Sequence, residues 1–95
     1  MTYELEFKKT ALEEWKKLGA TIQGQFKKKL AEILITPHIK ANKLSGATQL
    51  YKIKLRQSGY RLVYEVNESV ITVTVIAVGK REGGKVYLTA MKRTD

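Results

Sequence analysis

The sequence predicts an α+β fold: an N-terminal strand and a two-helix hairpin packed on a mainly antiparallel sheet, with a short C-terminal helix. Three observations predict it. Tyr3, Leu5 and Phe7 alternate with Glu4, Glu6 and Lys8, the period of a half-buried strand. Between Ala11 and Leu34 the apolar residues recur every three or four positions, as on helices. From Tyr51 onward alternation returns in β-branched runs separated by turn dipeptides, which suits hairpin-linked strands. A chain of 95 residues suits one domain spanning 1–95.

Thr10 stands three residues before Glu13, a capping-box spacing that starts the first helix near Ala11. Leu12, Trp15 and Leu18 mark its apolar face, and Gly19 is a fitting stop. The second helix begins after Thr21. Ile22, Phe26, Leu30 and Leu34 recur every fourth residue, with Ile33 beside them, and Lys27, Lys28 and Lys29 fall mainly on the other side. That basic side reads either as a solvated face or as a phosphate contact. Pro37 ends the helix, and the short turn between the two helices favours an antiparallel pair. Thr36 to Thr48 reads as a long loop.

Two strands follow, Tyr51–Arg56 and Tyr60–Val66. A Ser58-Gly59 turn sets Leu55 opposite Leu62, Arg56 opposite Arg61 and Lys52 opposite Glu65. Ile53, Leu55, Leu62 and Tyr64 then share one face, and Lys52, Lys54, Arg56 and Arg61 share the other. The run "SVITVTVIAVGKR" reads as a central, well-buried strand entered through Asn67-Glu68. Ile71, Val73 and Val75 are expected on the core face, with Thr72 and Thr74 on the cationic one. Its return brings Arg81 toward the Arg56–Arg61 end. Glu82-Gly83-Gly84 breaks the pattern. Val86 to Lys92, with Tyr87, Leu88 and Met91, forms the last helix.

The formal net charge is +9 with a pI near 9.9, which points to a polyanionic or acidic partner. No acidic residue lies between Glu32 and Glu65, a stretch that holds Lys40, Lys43, Lys52, Lys54, Arg56 and Arg61. Cysteine is absent, which excludes disulfides and thiolate metal sites. The lone histidine, His38, follows Pro37 and reads as a surface residue. No metal and no cofactor are expected. "MTYELEFKK" lacks the apolar run of a signal peptide, and no run approaches the ~18 apolar residues of a membrane span. A cytoplasmic location without membrane contact is expected.

Cross-strand cations are unfavourable unless solvated or sharing an anion, and a phosphate backbone removes that penalty. The chain carries no Ser/His/Asp arrangement, no phosphate-binding glycine loop and no evident carboxylate pair. Any catalysis falls to Lys, Arg and Tyr. That set suits RNA transesterification, because RNA supplies its own 2′-hydroxyl nucleophile. The protein adds a base, a group to stabilise the leaving oxygen, and cations for the phosphorane.

"NKLSG" from Asn42, "YKIKLRQSGYRLVY" from Tyr51, "VGKRE" from Val78 and "VY" at Val86 are similar to the RelE toxin family of bacterial toxin–antitoxin systems, over nearly the whole chain. The resemblance implies a microbial-ribonuclease-like fold and a ribosome-dependent endoribonuclease that cuts mRNA in the 30S A site. It implies Lys54 as general base and Arg81 as general acid or leaving-group stabiliser. Lys52 and Arg61 would stabilise phosphate charge, and Tyr87 would orient or stack on the nucleotide. Arg56, Lys27 and Lys28 are expected as further RNA-phosphate contacts. The implied partners are a RelB-like antitoxin, the ribosome and mRNA, with promoter DNA bound only through the antitoxin complex. Two rival readings share the same patch: a non-catalytic RNA-binding translation inhibitor, and a co-repressor acting only with its antitoxin.

Overall fold

A computed structural model describes residues 2–44, 49–80 and 85–93. In chain order these form β1 (Glu4–Phe7), α1 (Lys9–Lys16), α2 (Ala20–Ile33), one 3-10 turn (Lys40–Asn42), β2 (Leu50–Leu55), β3 (Tyr60–Asn67), β4 (Thr72–Lys80) and α3 (Lys85–Arg93). The four strands make one sheet in the order β1-β4-β3-β2. β2, β3 and β4 run antiparallel, and β1 joins β4 in parallel from Glu4↔Thr72 to Phe7↔Val75. The α+β class, the leading strand, the helix pair and the closing helix match the sequence reading.

The helices begin differently from expectation. α1 starts at Lys9, and the extended Lys8 is its N-cap without a side-chain bond, so the Thr10–Glu13 capping box does not form. The cause lies in the sheet. Lys8 N–H still donates to Val75 O at 3.0 Å, and Lys8 O already accepts from Leu12 N–H at 2.8 Å. The chain passes from strand to helix with no spacer. The shift puts Ala11 in the core beside Trp15 and leaves Leu12 36% exposed. α1 ends earlier than expected, at Lys16 with Lys17 as its C-cap, and Gly19, the expected stop, is instead the N-cap of α2, with extended backbone angles (φ −66°, ψ 157°). Phe26, Leu30 and Ile33 then face inward, on the predicted stripe.

The β2–β3 hairpin keeps the predicted faces but not the predicted register. Leu55 pairs with Tyr60, Ile53 with Leu62 and Lys52 with Val63. The turn occupies residues 56–59, with Gly59 at φ 78°, where a side chain would be strained. The register has slipped by two, so each side chain stays on its face. Two consequences matter: Arg56 leaves the strand for the turn, and Lys54 rather than Arg56 stands opposite Arg61.

β4 departs more. Its register shifts between Val63 and Tyr64, so that Val63 faces Ala77, Tyr64 faces Val75 and Ile76 is left over as a bulge. Val73, Val75 and Val78 therefore face α1 and α2, in a core with Trp15, Phe26, Leu30, Ile53, Leu62 and Tyr64. Ile76 and Ala77 turn to the other side. There they meet Leu44, Leu50, Val63 and Ala90, with Val86, Tyr87 and Met91 of α3 packed against them. The face expected to be almost purely cationic is thus half covered by a second, smaller apolar core. Ile71 is not a core strand residue. It sits in the β3–β4 turn at φ 48°, an unusual angle for a β-branched side chain.

Candidate active site

Lys52 and Lys54 lie on β2, the edge strand, and point away from the main core because successive strand residues alternate. Lys54 is exposed and stands opposite Arg61 of β3, which in turn stands opposite Gly79 of β4. Three strands so place Lys54, Arg61 and Gly79 in one row. Arg61 is only 9% exposed. One of its Nη atoms donates to Tyr60 O at 3.1 Å, so the guanidinium is held against its own strand. Two cations on adjacent strands repel, and an anion between them relieves that repulsion.

α3 closes one side of this row. A Cβ built on Gly79 would lie 3.2 Å from Val86 Cγ2, so the missing side chain is what lets the helix approach β4 so closely. One residue on, Tyr87 is brought against Lys52, whose Nζ lies 5.6 Å from the ring centroid. Among the described residues the Tyr87 hydroxyl is the one buried side-chain polar atom with no hydrogen-bond partner. Such a group gains from any polar ligand that reaches it. Lys52, Lys54, Arg61 and Tyr87, singled out from sequence, therefore gather on one face. Arg81 follows Lys80, the last residue of β4, and lies outside the described residues.

Beyond Lys54 a cavity of about 610 Å³ opens between α2 and the β2–β3 turn. Lys28, Lys29, Lys54 and Arg56 line it, with Gln25 and Glu32. Lys28 and Arg56, two of the expected phosphate contacts, line this space, Arg56 from the turn rather than from the strand; Lys27 does not line it and Lys29 does. Helical spacing carried that signal, since Gln25, Lys28, Lys29 and Glu32 share one face of α2. Sequence reasoning also missed a second cation–ring pair: Lys80 Nζ sits 5.8 Å from the Tyr60 ring centroid, on the opposite face of the sheet from Arg61.

His38 is not near this row. Its Nδ1 meets Tyr51 Oη at 3.1 Å and its Nε2 meets Glu68 Oε1, while Tyr3 O–H donates to the same carboxylate at 3.0 Å. The cluster ties β1, the α2–β2 loop and the β3–β4 turn together on the side of the main core. Tyr51 stacks on Tyr64 at 5.5 Å, and Tyr64 O–H donates to Pro37 O at 2.9 Å. Burial, with Tyr51 beside it, raises the Tyr64 phenol well above its ordinary pKa. Among the described residues no group of three His, Asp or Glu side chains could hold a metal ion. No helix among them is long and apolar enough to cross a membrane.

The ParE toxin family of type II toxin–antitoxin systems matches residues 5–83. The mRNA interferase toxin RelE of Escherichia coli K12 is 57% identical over 93 residues, which covers 98% of each chain. A free E. coli RelE variant with two arginines replaced by alanine superposes with a TM-score of 0.90, at 56% identity over 98% of each chain. RelE in the intact E. coli RelBE toxin–antitoxin complex superposes at 0.82 and is 57% identical, covering 84% of this chain and 98% of that one. In fold, in length and in sequence from end to end, this chain belongs to the RelE/ParE family of type II toxin–antitoxin toxins.

Proposed function

We propose that this chain is the toxin of a type II toxin–antitoxin pair, an mRNA interferase that cuts messenger RNA in the ribosomal A site. The observation that carries the reading is the row of Lys54 and Arg61 across β2 and β3 with Lys52 laid over Tyr87 beside it. It is a cation set with an aromatic group, placed next to an apolar patch that excludes water. Phosphate and base recognition need those two things together. The name of the E. coli relative, an mRNA interferase, supports it.

The chemistry is a 2′-hydroxyl attack on the adjacent phosphate. Lys54, exposed at the strand edge, takes the 2′ proton. Arg61 and Lys52 meet the charge that builds on the phosphorane. Arg61 gives one Nη to Tyr60 O and turns its remaining donors to the phosphate when RNA is in place. Tyr87 orients the nucleotide. Arg81 is given the charge on the departing 5′-oxygen, which takes its proton from water as the P–O5′ bond breaks, because a guanidinium holds its own proton too tightly to be a good acid. Lys28 and Arg56 guide the flanking phosphates along the α2 groove; Lys27 adds charge outside it.

The partner is a RelB-like antitoxin, as in the E. coli complexes with RelB and with a RelBc peptide. Promoter DNA is met through that complex. The toxin works in the cytoplasm, on translating ribosomes. Primer extension on a translated message tests the reading: discrete cuts within codons are expected. Arrested ribosomes on intact mRNA would make the protein a steric inhibitor instead.

Gly79→Ala probes the strand–helix approach. The new methyl would lie 3.2 Å from Val86 Cγ2, so Val86 must give by a few tenths of an ångström, and where packing on α3 holds it in place overpacking costs about 1–3 kcal/mol. The variant is expected to melt earlier and to cut more slowly, because α3 carries Tyr87. Parent-like melting and cutting would show that α3 does not seat Tyr87 through this contact.

A further inference from the structure

The far end of α3 is held by a group that plays no part in the chemistry above. Glu14 lies on α1, across the edge of the sheet. Arg93 presents a two-pronged contact to it: one Nη meets Glu14 Oε1 at 2.9 Å and the other meets Oε2 at 3.1 Å. The first prong also donates to Ile76 O at 2.7 Å. Glu14 Oε1 accepts, in addition, the Val78 N–H at 3.1 Å. Both side chains are partly buried, at 22% and 34% exposure for Arg93 and Glu14, where a forked arginine–carboxylate pair outweighs a solvated one.

The sheet explains why these two residues meet. β1 pairs with β4 only as far as Val75. Beyond it the outer edge of β4 has no neighbouring strand among the described residues, and its backbone groups need other partners. Glu14 takes the Val78 N–H and Arg93 takes the Ile76 carbonyl. Ile76 is the bulge residue. One carboxylate therefore fixes both the last stretch of β4, which leads to Gly79 and Arg81, and the helix that carries Tyr87.

α3 needs such a tether. It has nine residues, too few to be stable alone. Ala90 is the one of them that is fully buried, and Leu88 is 61% exposed. Val86, Tyr87 and Met91 pack on the sheet beside Ala90 but are only partly buried, so the apolar grip alone is modest. We propose that Glu14 is a positioning residue for the site: through Arg93 it seats α3 on the sheet and so places Tyr87 against Lys52. The inference rests on the reading that Tyr87 acts on the RNA.

A double-mutant cycle tests it, with cleavage of a ribosome-bound message as the readout and melting temperature alongside. Glu14→Gln keeps the size and an acceptor for Val78 but weakens the grip on Arg93. In the parent background it should lower kcat about 10- to 100-fold, the order expected for a small misplacement of a reacting group, with KM changed far less. In a Tyr87→Ala background it should lower kcat no further, because the group it places is gone. Arg93→Lys keeps the charge and loses the fork, and should show a smaller effect with the same coupling. It serves if Glu14→Gln fails to fold. Equal losses in both backgrounds would mean a general structural role and overturn the proposal. So would parent-like kcat in Glu14→Gln when Tyr87→Ala is slow. A parent-like rate in Tyr87→Ala itself would sink the reading of the site, and with it the role given to Glu14.

Discussion

Lys54→Ala is expected to abolish most toxicity and to slow cleavage by about 10²- to 10⁴-fold, the range for loss of a general base. Arg81→Ala should do the same by leaving charge on the departing oxygen unmet. Neither loss should come from unfolding. Lys54 is exposed on an edge strand, where truncation changes stability by about 0.5 kcal/mol or less. Arg81 is assigned from the sequence likeness to RelE. Toxicity in culture, read beside thermal melts, decides the matter. Matching melts with undiminished toxicity would remove that residue from the catalytic set.

A larger difference is expected between free and ribosome-bound RNA. The protein alone is poorly equipped. The one histidine is bound to Tyr51 and Glu68, away from the row. Arg61 is turned toward its own strand, and the Tyr87 hydroxyl is buried. Cations so placed suit phosphate, but nothing among the described residues would align a 2′-oxygen with the scissile bond. On the proposed reading the A site would supply that alignment by holding the message bent, a contribution of about 7–11 kcal/mol at most. On one message at one toxin concentration, cutting should be several orders of magnitude faster on the ribosome. Binding of free RNA should weaken steeply with salt, by close to one log unit per phosphate contact for each log unit of salt. Equal rates would make this an ordinary ribonuclease.

How far the sequence carried these conclusions differs from element to element. The faces of the hairpin were legible because alternation depends only on parity. The slip of two was not, because parity is blind to turn length, and the glycine that matters, Gly59, fits a two-residue turn as well as the longer one seen. The capping box at Thr10 was a sound local pattern overridden by the bond from Lys8 to Val75 O. The bulge at Ile76 left no mark in a run that is apolar at nearly every position. That same evenness did announce a strand buried on both faces, and the second face proved to be the seat of α3. At the site, the basic residues and Tyr87 were readable through family motifs. The contacts that place them were not. Glu14 and Arg93 are 79 positions apart, and His38 and Glu68 are 30 apart. No spacing rule spans such distances, and only the folded sheet brings them together.

On the proposed reading the RNA provides the nucleophile and the lysines and arginines of the sheet do the rest. A single 2′-deoxy substitution at the cut site, in a message programmed into the A site, tests it by removing one oxygen. The toxin should bind that ribosome about as well as before, since its phosphate contacts are untouched, and should leave the message intact while cutting the all-ribose control. Cleavage of the substituted message at the normal rate would contradict the account, because the nucleophile would then have to be something other than the neighbouring 2′-hydroxyl.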